Sequence, residues 1–287
     1  MARFVFVDGR YVRHAQAAVH VEDRGFQFAD AVYEVIEVRA GRLVDKTRHL
    51  DRLEASLMSL AIPSPMTRAA LSTVIARVVV LNRVRDGMVY LQVSRGVARR
   101  DFLLPPADTP PTVVCLARSG DLAQRRLAQE TGVAVITSPD IRWGRCDIKT
   151  TMLLPGSLAK DKARQSGAKE AWLVDRDGFV TEGASSTAWI VDAEGRLVTR
   201  PLGPDILPGV TRRTMLDVAA AEGIAVIERA FTPDEAARAR EAFYTAASSI
   251  LMPVVSVDGR SVGNGRPGSM SRRLLARFHS IAEIDGR

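Results

Sequence analysis

The chain has 287 residues, of which 46% are hydrophobic and 25% charged, and its formal net charge is +7. These proportions are those of an ordinary globular protein with enough apolar residues for one large or two small domains. The excess positive charge is mostly arginine scattered along the chain without a dense basic run, which favours a small anionic ligand over nucleic acid. No segment approaches the roughly 20 apolar residues of a membrane span or the composition of a signal peptide, so we expect a cytoplasmic protein. Two cysteines, Cys115 and Cys146, lie outside any metal-binding spacing and are expected to be structural thiols.

The first elements predicted along the chain are two hairpins and a helix. Asp8-Gly9 lies between FVFV and YV, and Ala40-Gly41 follows YEVIEV. A glycine between alternating apolar runs predicts a tight turn, because glycine adopts a positive φ without strain. After Thr47, leucines recur every three or four residues, the spacing of one buried helical face, and Pro63 ends the run. These leucines are Leu50, Leu53, Leu57 and Leu60.

A second helix is predicted to begin near Thr67 and to be followed by a strand over residues 112–116. Its apolar positions are Leu71, Val74, Ile75, Val78 and Val79. The segment RSGD after the strand is polar and contains a glycine, which is typical of a domain boundary. We therefore predict an N-terminal domain over residues 1–118, a linker over 119–122 and a C-terminal domain over 123–287.

The C-terminal half combines further hairpins with capped helices. Asp177-Gly178 and Asp258-Gly259 again separate β-branched stretches. Thr211 is predicted to cap a helix that ends at Gly223. The TPDE sequence at 232–235 has the form of a capping box with proline at the first helical position. Helices placed between antiparallel strands predict an α+β fold of two domains rather than a doubly wound parallel sheet.

Spacing alone does not single out one of the five lysines as a reactive amine. Lys149 has apolar neighbours, Ile148 on one side and residues 152–154 on the other, and they are expected to surround and desolvate it. A solvated lysine at the end of a strand fits the same spacing, so both interpretations stay open at this point. The lysines are Lys46, Lys149, Lys160, Lys162 and Lys169.

Several blocks of the sequence resemble the fold-type-IV aminotransferases, which depend on pyridoxal 5′-phosphate. The strongest are IRWGRCDIKTTMLLPGSLAKDKA at 141–163 and VTEGASSTAWIV at 180–191. EDRGFQFADAVYEV, HLDRL, YLQVSRG and ILPGVTRR match in the family's order, so the resemblance extends from about residue 22 to residue 253. The chain is most similar to the D-amino-acid aminotransferases. This resemblance implies two α/β-type domains rich in antiparallel strands, a homodimer and a ping-pong transamination between a D-amino acid and a 2-oxo acid.

The resemblance also assigns the cofactor to particular residues. Lys149 matches the lysine that forms the Schiff base and shuttles the proton between the substrate Cα and the cofactor C4′. Glu182 matches the carboxylate that pairs with the pyridine nitrogen, although a single glutamate after a hairpin is often a surface charge. At Ala247 the family usually has a hydroxyl residue, so this chain keeps the backbone N–H but lacks the side-chain donor. The remaining cofactor contacts are implied for Arg52, Ser185, Ser186, Leu207, Val210 and Thr211.

The residues implied for the substrate depart from the D-amino-acid enzymes. Tyr33 matches a tyrosine that binds the substrate carboxylate, and Arg100 matches an arginine that reaches the pocket of the neighbouring subunit. Phe102 stands where those enzymes have histidine, and Glu37 where they often have lysine. One donor is lost and a like charge is introduced, at a cost of about 1 kcal/mol if Glu37 comes close to the carboxylate. We expect a weakened carboxylate site.

Four alternatives remain beside the D-amino-acid enzymes. An (R)-selective amine transaminase fits a weakened carboxylate site. The branched-chain aminotransferases place a tyrosine five residues after the lysine, where this chain has Leu154, and aminodeoxychorismate lyase has a different context around its lysine. A basic protein that binds nucleic acid or a partner without catalysis does not need an imine-forming lysine together with Glu182, Arg52 and Thr211.

Overall fold

The computed structural model describes residues 2–285, which divide into two compact units. The first unit contains the chain through Leu122, the segment Ile148–Met152 and the C-terminal end from Glu283. The second unit contains Ala123–Asp147 and Leu153–Ala282. The segment that carries Lys149 therefore belongs with the N-terminal region, whereas the sequence analysis placed it in the C-terminal domain. The difference arises because this short segment forms its backbone hydrogen bonds with a strand of the first unit, a pairing that spans more than 100 residues of chain.

The first unit is built on a sheet in which every neighbouring pair of strands is antiparallel. The strands lie in the order β2-β1-β6-β5-β3-β4. Along β3, alternation directs Glu34 and Ile36 to one face, where they are fully buried, and Tyr33 and Glu37 to the other. The strands are β1 (Phe4–Val7), β2 (Arg10–Arg13), β3 (Ala31–Arg39), β4 (Arg42–Leu43), β5 (Gly87–Ser94) and β6 (Thr112–Ser119).

Helices α1 (Arg24–Phe28), α2 (Lys46–Ser59) and α3 (Arg68–Leu81) complete the first unit. The two helices predicted from apolar spacing are confirmed. Leu50, Leu53 and Leu57 are buried on α2, and the five apolar positions predicted for the second helix are all buried on α3. The Thr67 side chain accepts a hydrogen bond from the amide of Ala70, so it caps α3.

The second unit contains a larger, mixed sheet in the order β12-β11-β10-β13-β14-β7-β8-β9, with β15 paired to β14. Strand β7 is parallel to both β8 and β14, and β11 is parallel to β12, while the other pairs are antiparallel. The four predicted hairpins are confirmed in the two sheets, and the α+β class is confirmed as well. The strands are β7 (Val133–Pro139), β8 (Glu170–Val174), β9 (Val180–Gly183), β10 (Thr187–Val191), β11 (Leu197–Thr199), β12 (Val226–Glu228), β13 (Glu241–Ala246), β14 (Ile250–Val257) and β15 (Arg260–Ser261).

One helix of the second unit begins two residues earlier than predicted. Gly209, in an extended conformation, is the N-cap of α6, and Thr211 is already the second helical residue, so the predicted capping by Thr211 is wrong. Gly209 has no side chain to offer as a cap, which leaves the first-turn amides of α6 uncapped. The helices of this unit are α4 (Leu122–Thr131), α5 (Leu154–Gln165), α6 (Val210–Ala221), α7 (Pro233–Arg238) and α8 (Ser269–Ile281).

Both cysteines are buried free thiols, as predicted. Within residues 2–285, no helix has the length and apolar character to cross a membrane. The same residues contain no group of three or more His, Cys, Asp and Glu side chains placed to hold a metal ion.

Candidate active site

Lys149 lies on an extended segment beside strand β3 of the first unit. The amide of Tyr33 donates to the Lys149 carbonyl over 3.0 Å, and the amide of Thr151 donates to the carbonyl of Ala31 over 3.0 Å. This pairing fixes the lysine backbone and places its Nζ 4.2 Å from the centroid of the Tyr33 ring. The prediction that its apolar sequence neighbours surround Lys149 is wrong, because residues 152–154 are exposed and only Ile148 is buried. The ring of Tyr33 provides the apolar contact instead.

Arg52 is held by a buried carboxylate that the sequence analysis missed. Its Nε and Nη2 donate to the two oxygens of Glu34 over 2.8 and 2.7 Å, and Nδ1 of His49 lies 2.7 Å from Oε2 of Glu34. Burial alone raises the pKa of Glu34, but the charges and hydrogen bonds of Arg52 and His49 outweigh burial and lower this pKa to about 2. Glu34 thus stays ionised inside the unit and fixes the guanidinium of Arg52 through a bidentate pair. The signal was present in YEVIEV, where alternation puts Glu34 on the apolar face of the strand.

Glu182 lies on β9 and is buried, so it is not a surface charge of the hairpin. Nη1 of Arg142 donates to its Oε1, and the amide of Leu207 donates to both carboxylate oxygens over 3.3 Å. Arg142 is itself fixed, because its Nη2 donates to Oδ2 of Asp140 over 2.7 Å and to the carbonyl of Asp205 over 3.0 Å. Burial opposes the charge of Arg142, yet the carboxylates of Asp140 and Glu182 raise its pKa. Arg142 lies in the matching block at 141–163, but the sequence pattern gives no sign of this ion pair.

Apart from Arg52, the residues implied for the phosphate lie at one end of the second unit's sheet. Thr187 of β10 is paired with Thr245 of β13, so Ser186 and the Ala246–Ala247 turn lie at the same sheet end. The N-cap of α6 approaches this end closely, since a Cβ on Gly209 would lie 3.0 Å from Oγ1 of Thr187. The first turn of α6 therefore brings the amides of Val210 and Thr211 towards that end. Uncapped amides at a helix N-terminus attract anions.

The donors at this sheet end fit the phosphate of pyridoxal 5′-phosphate. The hydroxyl of Ser249, in the turn that follows Ala247, is buried and has no hydrogen-bond partner among the described residues. A buried hydroxyl without a partner costs free energy unless a ligand or water satisfies it. Ser186 and the first-turn amides of α6 lie at the same sheet end, and donors of this kind suit a phosphate. Leu207, half-buried beside Glu182, lies on the loop that leads to α6.

The residues implied for the substrate have different environments within the first unit. Tyr33 is half-buried, and its ring centroid lies 5.6 Å from that of Tyr90. Glu37 is only 3% exposed. Arg100 and Phe102 are exposed on the loop between β5 and β6, and both contact the ring of Phe28, at 4.8 Å for the guanidinium carbon and 6.0 Å between ring centroids. The structure thus groups Arg100 with Phe102 and gives Glu37 a buried position.

The model of the family described as "Amino-transferase class IV" matches residues 31–257. The chain belongs to the class IV aminotransferases, which are enzymes dependent on pyridoxal 5′-phosphate and share the fold-type-IV architecture. A D-alanine aminotransferase of Bacillus licheniformis is 37% identical over 270 residues, which cover 94% of each chain.

Solved structures support the same fold. A branched-chain amino acid aminotransferase of Escherichia coli superimposes with a TM-score of 0.90 at 25% identity, covering 98% of this chain and 95% of that one. A protein of Mycobacterium tuberculosis described as a hypothetical aminotransferase, solved in its PLP-bound form, gives a TM-score of 0.84 at 22% identity, covering 97% and 98% of the two chains. The predicted family, fold class and cofactor are confirmed.

Proposed function

We propose that this enzyme transfers an amino group between a D-amino acid and a 2-oxo acid by a ping-pong mechanism. The D-alanine aminotransferase relative supports the substrate class. The observation that carries the chemistry is the buried carboxylate of Glu182, which Arg142 fixes in a chain that also retains Lys149. A buried carboxylate held in one orientation suits a permanent cationic partner such as a pyridinium.

When bound, pyridoxal 5′-phosphate supplies an electron sink for the charge that develops on the substrate Cα. Glu182 accepts the N–H of the pyridine ring and keeps that nitrogen protonated. Lys149 would hold the cofactor through its Nζ, and the same amine would move the proton at the substrate Cα. The contact of Nζ with the Tyr33 ring favours a defined position for this amine.

The phosphate is proposed to lie among the donors at the sheet end of the second unit. Ser186 contributes its hydroxyl, and Val210 and Thr211 contribute amides at the start of α6. Ala247 contributes its amide. Arg52, which Glu34 fixes through a bidentate pair, supplies the cationic contact. Ser185 is proposed as a neighbour of the phosphate, and Leu207 as a neighbour of the ring.

We further propose that the enzyme is a homodimer and that Arg100 serves the pocket of the neighbouring subunit. The loop that carries Arg100 and the adjoining helix α1 present an exposed apolar surface, and such a surface marks a contact with another protein. Val97 pairs with Asp23 and the Phe102 ring contacts Phe28, so the two segments adjoin. The exposed apolar residues of this surface are Val21, Phe26, Val97, Phe102 and Leu103.

The test of the proposed function is the site of covalent attachment, followed by a donor panel. Borohydride reduction of the holoenzyme and peptide mapping are expected to give a pyridoxyl adduct on Lys149. Lys149→Ala is expected to abolish transamination of D-alanine with 2-oxoglutarate, while the matched variant Lys162→Ala, on the same stretch of chain, retains it. An adduct on Lys160 or Lys162, or equal rates with D- and L-alanine, contradicts the proposal.

A second candidate, the transamination of (R)-amines without a carboxylate, is favoured by Phe102. This residue places an exposed apolar ring beside Arg100, where the D-amino-acid enzymes have a donor. Arg100→Ala is expected to lower kcat/KM for D-alanine by about tenfold, the loss of one charge-assisted hydrogen bond. It is expected to leave (R)-1-phenylethylamine nearly unchanged, because that donor has no carboxylate. An equal loss for both donors shows that Arg100 is structural.

A further inference from the structure

A buried carboxylate lies directly behind the proposed phosphate contact Ser186. Glu170, at the start of β8, is 1% exposed. Its Oε2 accepts hydrogen bonds from Oγ of Ser186 over 3.2 Å and from Oγ of Ser185 over 2.9 Å, while its Oε1 accepts from the amide of Ala171 over 3.0 Å. Nζ of Lys160 lies 3.2 Å from the same Oε2. Two serines of the turn between β9 and β10 are therefore bound to one carboxylate.

In this arrangement the Ser186 hydroxyl can donate to a phosphate only after its hydrogen bond to Glu170 is released. A hydroxyl has one proton and can donate one hydrogen bond at a time. The proton of Ser186 is committed to Glu170, and the phosphate dianion has only acceptor oxygens. The Oγ of Ser186 packs against Gly183 of β9, because a Cβ added at Gly183 would lie only 2.1 Å from it. The hydroxyl therefore has no room to move towards β9. Either Ser186 leaves Glu170, or a proton joins the pair.

We propose that Glu170 and Ser186 form a proton-coupled phosphate contact, in which binding of the phosphate dianion takes up one proton from solvent. The proton binds a carboxylate oxygen of Glu170, which then donates to Oγ of Ser186. The proton of Ser186 turns from Glu170 to a phosphate oxygen. One proton enters, no covalent bond between heavy atoms changes, and the negative charges of Glu170 and the phosphate no longer repel. The inference rests on the proposed function, which assigns the phosphate to Ser186.

Two other ionisable groups, Lys160 and Tyr244, lie near Glu170, and neither is proposed to take up the proton. Lys160 of α5 also lies 2.9 Å from Oγ of Ser185, and it is partly exposed, so its charge is shared with solvent. Tyr244 of β13 also interacts with Glu170, and burial together with the charge of Glu170 raises the pKa of its phenol well above the ordinary value. Tyr244 thus remains neutral and protonated.

Glu170→Gln tests the exchange, because the amide N–H of glutamine donates to Oγ of Ser186 without any proton uptake. Pyridoxamine 5′-phosphate is titrated into the cofactor-free full-length protein by calorimetry at pH 8, in buffers of different ionisation enthalpy. At this pH the phosphate is a dianion, since its second pKa is about 6. Pyridoxamine 5′-phosphate forms no imine with Lys149, and Glu170→Gln retains Lys149 and Glu182, so the difference in proton uptake between the two proteins reports on Glu170.

The wild-type protein is expected to take up about one proton, and its affinity to fall by about tenfold per pH unit above pH 7. Glu170→Gln is expected to take up about one proton fewer and to lose most of this pH dependence. Ser186→Ala, which keeps Glu170, is expected to lose the proton uptake as well. This variant tests the inference if Glu170→Gln does not fold. Ser166→Ala, the matched control at an exposed serine whose hydroxyl donates to the carbonyl of Lys162, is expected to retain the uptake. Binding by the wild type without proton uptake, or equal uptake in wild type and Glu170→Gln, overturns the inference alone. Failure of the wild type to bind the probe overturns the proposed function.

Discussion

Glu34 in the first unit and Glu182 in the second are both buried glutamates bonded to an arginine, but the two pairs are built differently. Both oxygens of Glu34 receive short hydrogen bonds from Arg52 and His49, and its side chain is completely enclosed. Glu182 accepts a hydrogen bond from Arg142 on Oε1, whereas the amide hydrogen bonds from Leu207 to its two oxygens are long. The difference indicates that Glu34 serves to fix an arginine, whereas Glu182 is itself fixed and presented.

The first prediction tests the role of Glu182 with the variant Glu182→Gln. If Glu182 holds the proton of the pyridine ring, the neutral amide is expected to slow the proton-transfer step by on the order of 10²-fold or more, because the charge that stabilises N–H⁺ is lost. The measurement is a single-turnover half-reaction with D-alanine, followed by the absorbance of the cofactor. The matched control is Glu194→Gln, an exposed glutamate of the same unit, which is expected to retain the wild-type rate. An unchanged rate in Glu182→Gln shows that another acid pairs with the ring.

The second prediction concerns Glu34, the glutamate whose side chain is completely enclosed. Glu34→Gln is expected to lower the free energy of unfolding by about 3 kcal/mol at pH 7, since it leaves Arg52 and His49 without the charge that compensates them. The pKa of Glu34 is lowered from 4.5 to about 2 in the folded protein, so its contribution is present above pH 4.5 and is lost as the pH falls towards 2. Urea unfolding of wild type and variant between pH 7 and pH 3 is expected to give a difference that shrinks on acidification. Glu54→Gln, which changes an exposed glutamate on the helix of Arg52, is expected to have little effect. A difference that is constant with pH contradicts the assignment.

Some features of the structure could be predicted from the sequence alone, and others could not. Local patterns were sufficient where the determinant is local: apolar spacing predicted the buried faces of α2 and α3, and glycine turns predicted the hairpins. Thr211 was wrongly taken as a cap because threonine has the favoured chemistry, whereas the extended backbone at Gly209 decides where α6 begins.

The partners of the arginines were missed for a different physical reason. Arg142 and Glu182 are 40 positions apart and meet only because β9 and the loop before Lys149 fold together within the second unit. Glu170 and Ser186 are joined in the same way by β8 and the turn after β9. The resemblance predicted the family, the fold and the cofactor, but a resemblance gives no information about which side chains compensate a buried charge. The parallel pairing of β7 with β8 and β14 is likewise non-local.

The third prediction has the smallest expected effect and concerns Arg142, the arginine bonded to Glu182. Arg142→Lys keeps a positive charge but loses the planar set of donors that joins Glu182, Asp140 and the Asp205 carbonyl. Glu182 then keeps its charge and loses its fixed orientation. The half-reaction is expected to slow by about tenfold through kcat, while KM for D-alanine changes little, because the substrate does not contact this arginine. Arg145→Lys is the matched control, since Arg145 lies three residues away, is half exposed and pairs with Asp147. If Arg142→Lys is as inactive as Glu182→Gln, the arginine does more than orient the carboxylate. If it equals wild type, the long amide bonds of Leu207 are enough to hold Glu182, and the two buried pairs differ less than their geometry indicates.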